Sequence, residues 1–203
     1  MRLATSMGIS DGVQAGAGGV APFENTYSLD FDGVDDYVDT GTGLGDSFGN
    51  NYTGDFSVSL WFKSDTAFTS MNDGLLTMSV RWPVSNLGVL ALYFQASKLQ
   101  YKLAGGAWTR SFAVATITTG TWHHLAIVYK SGDEAASLMY LDNVSIGSTA
   151  GTFPATTAMD FVGATTIIGA YYSPSYPFSG WIDETSIWNT ALSSGDVSTL
   201  YNS

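Results

Sequence analysis

Apolar and polar positions alternate in short runs along most of this chain, and turn residues separate the runs. Phe56-Ser57-Val58-Ser59-Leu60-Trp61-Phe62 alternates large apolar with small polar side chains before turning apolar on both faces. That pattern suits a strand central to a sandwich. Leu75–Val80 and Val89–Phe94 predict two more strands. Leu99-Gln100-Tyr101-Lys102-Leu103 has period two, so one of its faces is expected to be wet, and Gly105-Gly106 ends it in a turn. Trp122–Tyr129 is the next strong strand, turned back by Ser131-Gly132-Asp133-Glu134. Leu138–Leu141 and Val144–Ile146 form a hairpin closed by Asp142-Asn143, two residues that tolerate left-handed backbone. Ser28–Phe31 and Tyr37-Val38 flank an acidic loop near the start, and Thr166–Gly169 and Trp181–Trp188 are the last strands.

One helix is predicted. Ser193 caps it, Asp196 stands three residues on in a box-like role, and Val197, Leu200 and Tyr201 share a face. Gly41-Thr42-Gly43-Leu44-Gly45 lacks the lysine and following helix of a phosphate loop and reads as a turn. No βαβ alternation or repeat is visible. The chain therefore reads as all-β: a two-sheet antiparallel β-sandwich with a short C-terminal helix. Residues 1–24 differ, being rich in Gly, Ala and Ser with weak periodicity. They read as an extended N-terminal arm, either a loose tail or a segment that orders against a partner, and residues 25–203 as the sandwich domain.

Composition sharpens this picture. The 203 residues are 45% hydrophobic and 12% charged, with 28 aromatic residues and 23 glycines. A core of ordinary size is affordable without staples, and no run approaches the about 20 apolar residues of a membrane helix. The formal charge is −11, which repels phosphate and argues against a direct nucleic-acid partner. The acids are fifteen Asp and only three Glu, at 24, 134 and 184, a balance that favours loops over helices. The chain has no cysteine, so disulfides, thiolate metal sites and cysteine nucleophiles are excluded. That absence, with no apolar signal segment at the start, suits a bacterial, archaeal or viral source.

Catalytic constellations are scarce. A glycosidase needs two carboxyls on opposite sides of the scissile bond. Three scattered glutamates do not build such a strand, and Asp183 and Glu184 are neighbours expected to point to opposite faces. Gly8-Ile9-Ser10-Asp11-Gly12 fits a nucleophile elbow by letter but lies in the arm, without the strand and helix that chemistry requires. His123 and His124 are adjacent on a strand, so they cannot converge on one metal. Packing or surface roles suit them better. Asp32, Asp35 and Asp36 crowd around Gly33, with Asp30 nearby. Such a loop either offers carboxylate oxygens to Ca²⁺ or spends them on Asx turns. Three aromatic loops stand out: Arg81-Trp82-Pro83, Ala107-Trp108-Thr109-Arg110, and Tyr171-Tyr172-Ser173-Pro174-Ser175-Tyr176-Pro177-Phe178. Sugars dock on exposed rings, which makes Trp82, Trp108, Tyr171, Tyr172 and Tyr176 candidate glycan contacts. The same rings also suit an edge cover or a subunit interface.

Four blocks in order carry a family resemblance: Leu29–Val38, Phe56–Phe62, Trp122–Ala126 with the Tyr140–Asn143 hairpin, and Phe178–Ser193 running into the helix. Together they resemble the laminin G-like, concanavalin A-like jelly-roll family in its bacterial and phage branch. The resemblance implies two packed, curved antiparallel sheets, and roles in glycan binding, adhesion or particle assembly more often than catalysis. It also implies a structural calcium ion, with Asp183 of the last block brought near Asp32, Asp35 and Asp36 of the first. A lone lectin-like domain with a small-residue arm further resembles virion proteins of tailed phages, as a capsid decoration or a fibre or tail appendage. On that reading the arm holds other virion proteins, the copies form a homo-oligomer, and the sandwich displays its face to host-surface glycans. The alternative is a stand-alone carbohydrate-binding or adhesion module at the cell surface. A glycoside hydrolase comes last.

Overall fold

A computed structural model describes residues 27–67, 73–79, 88–95, 98–103, 108–113, 117–133, 135–146, 158–171 and 176–203. Twelve named strands and two helices follow in chain order: β1 (Leu29–Asp32), β2 (Val38–Asp39), α1 (Gly43–Phe48), β3 (Phe56–Ser64), β4 (Asp73–Ser79), β5 (Gly88–Gln95), β6 (Lys98–Leu103), β7 (Trp108–Ala113), β8 (His123–Tyr129), β9 (Leu138–Leu141), β10 (Val144–Ile146), β11 (Thr165–Ile168), β12 (Ser179–Trp188) and α2 (Ser194–Tyr201). They form two six-stranded sheets, ordered β1-β12-β3-β8-β9-β10 and β2-β11-β4-β5-β6-β7. Every pairing is antiparallel. This is the sandwich the alternation predicts. Among the described residues no helix is long and apolar enough to cross a membrane.

Strand alternation builds the core. Phe56, Val58, Leu60 and Phe62 of β3 and Leu125, Ile127 and Tyr129 of β8 face Leu90, Leu92 and Phe94 of β5 and Leu99, Tyr101 and Leu103 of β6, all buried in one cluster. Burying such side chains is the main stabilising term, at about 1.5–3 kcal/mol each. The Asp142-Asn143 turn has φ of 51° and 63°, as its residues predict. Asp142 also ties the turn to β8, accepting from His124 N–H at 2.9 Å while its other oxygen meets His123 Nδ1 at 2.7 Å.

Part of the outer face of the first sheet is shielded from water. Helix α2 lies across it, with Val197 fully buried among Ala126, Val128 and Tyr140. Ser193 opens the helix as expected: its Oγ accepts from Asp196 N–H at 3.2 Å, and its own N–H donates to the Asp196 carboxylate at 2.8 Å. The small polar residues of β3 are buried beneath this layer. Ser57 Oγ donates to Thr190 O and accepts from Leu192 N–H, both at 2.9 Å.

Two expectations need correction. Gly43-Leu44-Gly45 is not a turn but the start of α1, where buried Gly45 lies against the backbone carbonyls of Phe161 and Ala164, too close for any side chain. Trp108 is not in a loop but is the first residue of β7, paired with Leu103.

Candidate functional site

The outer face of the second sheet carries a polar aromatic cluster. Its base is strand alternation: Leu99, Tyr101 and Leu103 of β6 enter the core, so Gln100 and Lys102 emerge on the other side. Beside them on β5, Ala91 and Tyr93 also face outward, packed with Tyr171. The two antiparallel ends of a hairpin, Ala170–Tyr171 and Tyr176–Pro177, then pack on this face. Ala170 bridges Pro177, Tyr171 N–H donates to Tyr176 O at 3.1 Å, and Gly74 N–H of β4 reaches the same carbonyl at 3.2 Å. Thr77 Oγ1 adds a bond to Ala170 O at 3.1 Å. Gly74 is required here, because a Cβ at that position would overlap the Ala170–Tyr171 backbone.

The hairpin sets Tyr171 on Tyr93, rings stacked at 4.2 Å between centroids. Tyr93 O–H donates to Gln100 Oε1 at 2.7 Å, and Lys102 Nζ donates to the Tyr171 oxygen at 3.0 Å. The ammonium also stands 5.0 Å from the Tyr93 ring centroid. Burial pushes the Lys102 pKa down, since desolvation disfavours its charged form. Tyr176, held at φ 58°, keeps 41% of its surface exposed beside Tyr171. The wet face expected for β6 is thus partly covered: Gln100 is 9% exposed and Lys102 half-buried. The arrangement offers an exposed ring, a sheltered amine and a phenol, which are hydrogen-bond and stacking groups.

The predicted aromatic contacts separate. Tyr176 is exposed, whereas Tyr171 is 3% exposed and acts from beneath, as a packing and hydrogen-bonding residue. Tyr172 and Trp82 lie outside the described residues. Gly74, Tyr93, Gln100 and Lys102 are site residues that the sequence pattern alone does not mark as functional. The period-two run of β6 was the available signal for Gln100 and Lys102. Nothing local marks Tyr93 or Gly74, which join through a hairpin about a hundred residues downstream.

The acidic loop follows β1, where Asp32 pairs with Ser179. Gly33 turns the chain at φ 76°. Asp32 Oδ1 accepts from Val34 N–H at 2.7 Å and Asp35 N–H at 3.4 Å, and Asp36 Oδ2 accepts from Asp32 N–H at 3.1 Å. One oxygen from each of Asp32, Asp35 and Asp36 lies within 4.8 Å of the others, all on exposed residues. The Asx turns use only some of the lone pairs, and three hard carboxylates suit a calcium ion completed by carbonyls and water. Asp183 does not join them. It sits in β12 opposite Trp61, four residues beyond the Ser179 that faces Asp32, and its carboxylate accepts from Glu184 N–H at 2.8 Å. A bulge follows, with Glu184 at φ 47°.

The histidines point to opposite faces, as adjacent strand residues must. His123 Nδ1–H donates to Asp142 Oδ2 at 2.7 Å, because its Nε2 accepts from Thr118 N–H at 3.1 Å. His124 is fully buried under α2, between Trp61 and Tyr201, with Nε2 on Ser59 Oγ at 2.8 Å. Its Nδ1 has no hydrogen-bond partner among the described residues. Desolvation pushes its pKa down, against a smaller opposing pull from Asp142. This is a packing histidine.

Comparison with family models matches residues 32–198 to the concanavalin A-like lectin/glucanases superfamily. Comparison with curated proteins gives no match. Several solved structures share the fold. The CBM40 domain of the Ruminococcus gnavus IT-sialidase, bound to α2,3-sialyllactose, is 12% identical with a TM-score of 0.62, over 86% of this chain and 98% of that one. A variant of the NanB sialidase from Streptococcus pneumoniae is 19% identical with a TM-score of 0.60, over 85% of this chain but only 27% of its own. Domains LG4-5 of the mouse laminin α1 chain are 18% identical with a TM-score of 0.56, over 81% of this chain and 42% of theirs. At these identities the likeness is one of fold.

Proposed function

The chain belongs to the concanavalin A-like lectin/glucanases superfamily, and from that premise we propose that it is a non-catalytic glycan-binding module. The observation that carries this reading is the hairpin pinned on Gly74, which sets the exposed Tyr176 ring beside Tyr171, whose hydroxyl accepts from the sheltered Lys102 amine. A sugar ring stacks on Tyr176 while the Lys102 amine and neighbouring polar groups orient its hydroxyls. The sialyllactose-bound CBM40 neighbour, of the same fold along nearly its whole length, supports a sugar as ligand. Screening the full chain on a glycan array, then titrating each hit against Tyr176→Ala and Lys102→Met, tests the proposal. Binding lost in both variants supports it. Binding unchanged in both moves the site elsewhere, and no hit on the array removes the reading.

The wider setting is also a proposal. A calcium ion held by Asp32, Asp35 and Asp36 would pin the β1–β2 loop. The small-residue composition of residues 1–24, outside the described residues, favours an attachment arm to other virion proteins, with the sandwich displayed as a homo-oligomer on a phage capsid, fibre or tail. Removing residues 1–24 should then abolish particle attachment and lower the mass in solution. An unchanged monomer that attaches to nothing returns the chain to a stand-alone adhesion module at a cell surface.

A further inference from the structure

A second array of rings lies on the opposite side of the sandwich, on the outer face of the first sheet. Register places Asp30, Trp181 and Lys63 side by side across β1, β12 and β3. Phe62 faces His123, so Trp122, the residue before β8, extends the row past Lys63. The Lys63 ammonium stands 3.9 Å from the Trp181 ring centroid and 5.4 Å from that of Trp122. It makes no ion pair among the described residues. Trp122 is 36% exposed, Asp30 is exposed, and Trp181 and Lys63 are half-buried. One strand step along, Trp61 is already stacked under Tyr201 of α2, at 5.6 Å and 16° between planes. The helix therefore closes the second row and leaves the first open.

We propose that the Asp30–Trp181–Lys63–Trp122 row is a second saccharide subsite, and that it takes a neutral hexopyranose. The indole of Trp122 supplies an apolar face for the sugar's axial C–H groups. Lys63, held by the rings, donates to hydroxyl or ring oxygens, and Asp30 accepts from hydroxyls at the far end. Charge decides against acidic sugars: the chain carries −11, and Asp30 flanks the row. Two outer faces of one sandwich then hold one sugar each, facing away from each other, which lets a single domain bridge two separate glycan chains. The site is independent of the tyrosine hairpin, which lies on the other sheet.

Heteronuclear NMR of the indole N–H signals of the full chain tests this. The probes are cellotetraose, mannotetraose and galactotetraose, with tetragalacturonate as the acidic comparison. At least one neutral probe should move the Trp122 and Trp181 signals at up to about 10 mM while leaving the covered Trp61 unmoved. Trp122→Ala should weaken that binding by about tenfold, and Lys63→Met by several-fold, with thermal unfolding unchanged. Tetragalacturonate should bind more weakly at low salt, the gap closing as salt screens it. Tyr176→Ala should leave these shifts intact, so failure of the hairpin site and failure of this one are read separately. No shift with any neutral probe, tighter binding of the acid, shifts that survive Trp122→Ala, or shifts that follow protein concentration without sugar would each overturn the proposal.

Discussion

Gly74→Ala probes how the hairpin site is held. An added Cβ at residue 74 would sit inside the Ala170–Tyr171 backbone, which is not the flexible end of a side chain and cannot swing aside. Either β4 moves, against its pairing with β5 and β11, or the hairpin lifts. The hairpin is the softer of the two. Lifting it loses the bond from residue 74 N–H to Tyr176 O and the Tyr93–Tyr171 stack. Overpacking alone costs about 1–3 kcal/mol, and each lost hydrogen bond about 0.5–1.5 kcal/mol. We expect a total of about 2–4 kcal/mol, together with loss of glycan binding at that face. Gly43→Ala is the matched control, since nothing lies within 4 Å of its would-be Cβ and its backbone is helical. It should stay within about 0.5 kcal/mol of the parent. Urea unfolding followed by tyrosine near-ultraviolet dichroism measures both. If Gly74→Ala matches Gly43→Ala in stability and in binding, the hairpin is not pinned as described and the argument for its site fails.

Two further outcomes follow from ionisable groups. Burial lifts Asp73 from 3.8 to about 6, so between those values the folded chain keeps a proton that the unfolded chain releases. Its contribution is therefore fully present below pH 3.8 and is lost as pH rises through about 6. The shift corresponds to about 3 kcal/mol at full burial, discounted to about 1 kcal/mol for a half-exposed carboxyl. Asp73→Asn should thus be more stable than the parent at pH 7.5 by about 1 kcal/mol relative to the difference at pH 3.5. An equal difference at both pH values in urea titrations refutes it. Calcium should stabilise the chelator-treated chain by about 2.7 kcal/mol at a hundredfold excess over Kd, seen as a higher thermal midpoint. The double substitution Asp32→Ala and Asp36→Ala should erase that gain, and identical midpoints with calcium and with chelator would end the calcium reading.

Local pattern carried the sandwich a long way. Alternation in Phe56–Phe62 and Trp122–Tyr129 identifies the two strands at the centre of the first sheet, and Ser193 with Asp196 marks the start of α2. Where the reading failed, distant chain decided. Gly45 lies within a helix rather than a turn, packed under Phe161 and Ala164, which come more than a hundred residues later. Asp183 left the acidic set because strand register, which a sequence does not display, puts Ser179 opposite Asp32 instead. Tyr171 looked like an exposed loop ring, yet Gly74 lets its backbone settle onto the sheet and bury it. The Trp122–Lys63–Trp181 row is not legible in the sequence, because its members come from three separate segments.

The position of β12 has a consequence for how the chain reaches this state. It inserts between β1 and β3, so neighbours in the first sheet are separated by more than a hundred residues of chain. During synthesis β3 and β8 can pair early, but the side of β3 that β12 will occupy stays an open edge of unpaired backbone N–H and C=O groups until β12 emerges. Helix α2, which roofs the same sheet, arrives later still. Such long-range pairing slows folding and prolongs exposure of an unpaired strand edge. Lower temperature or chaperone supply during expression should therefore raise the yield, by protecting that incomplete sheet until β12 closes it.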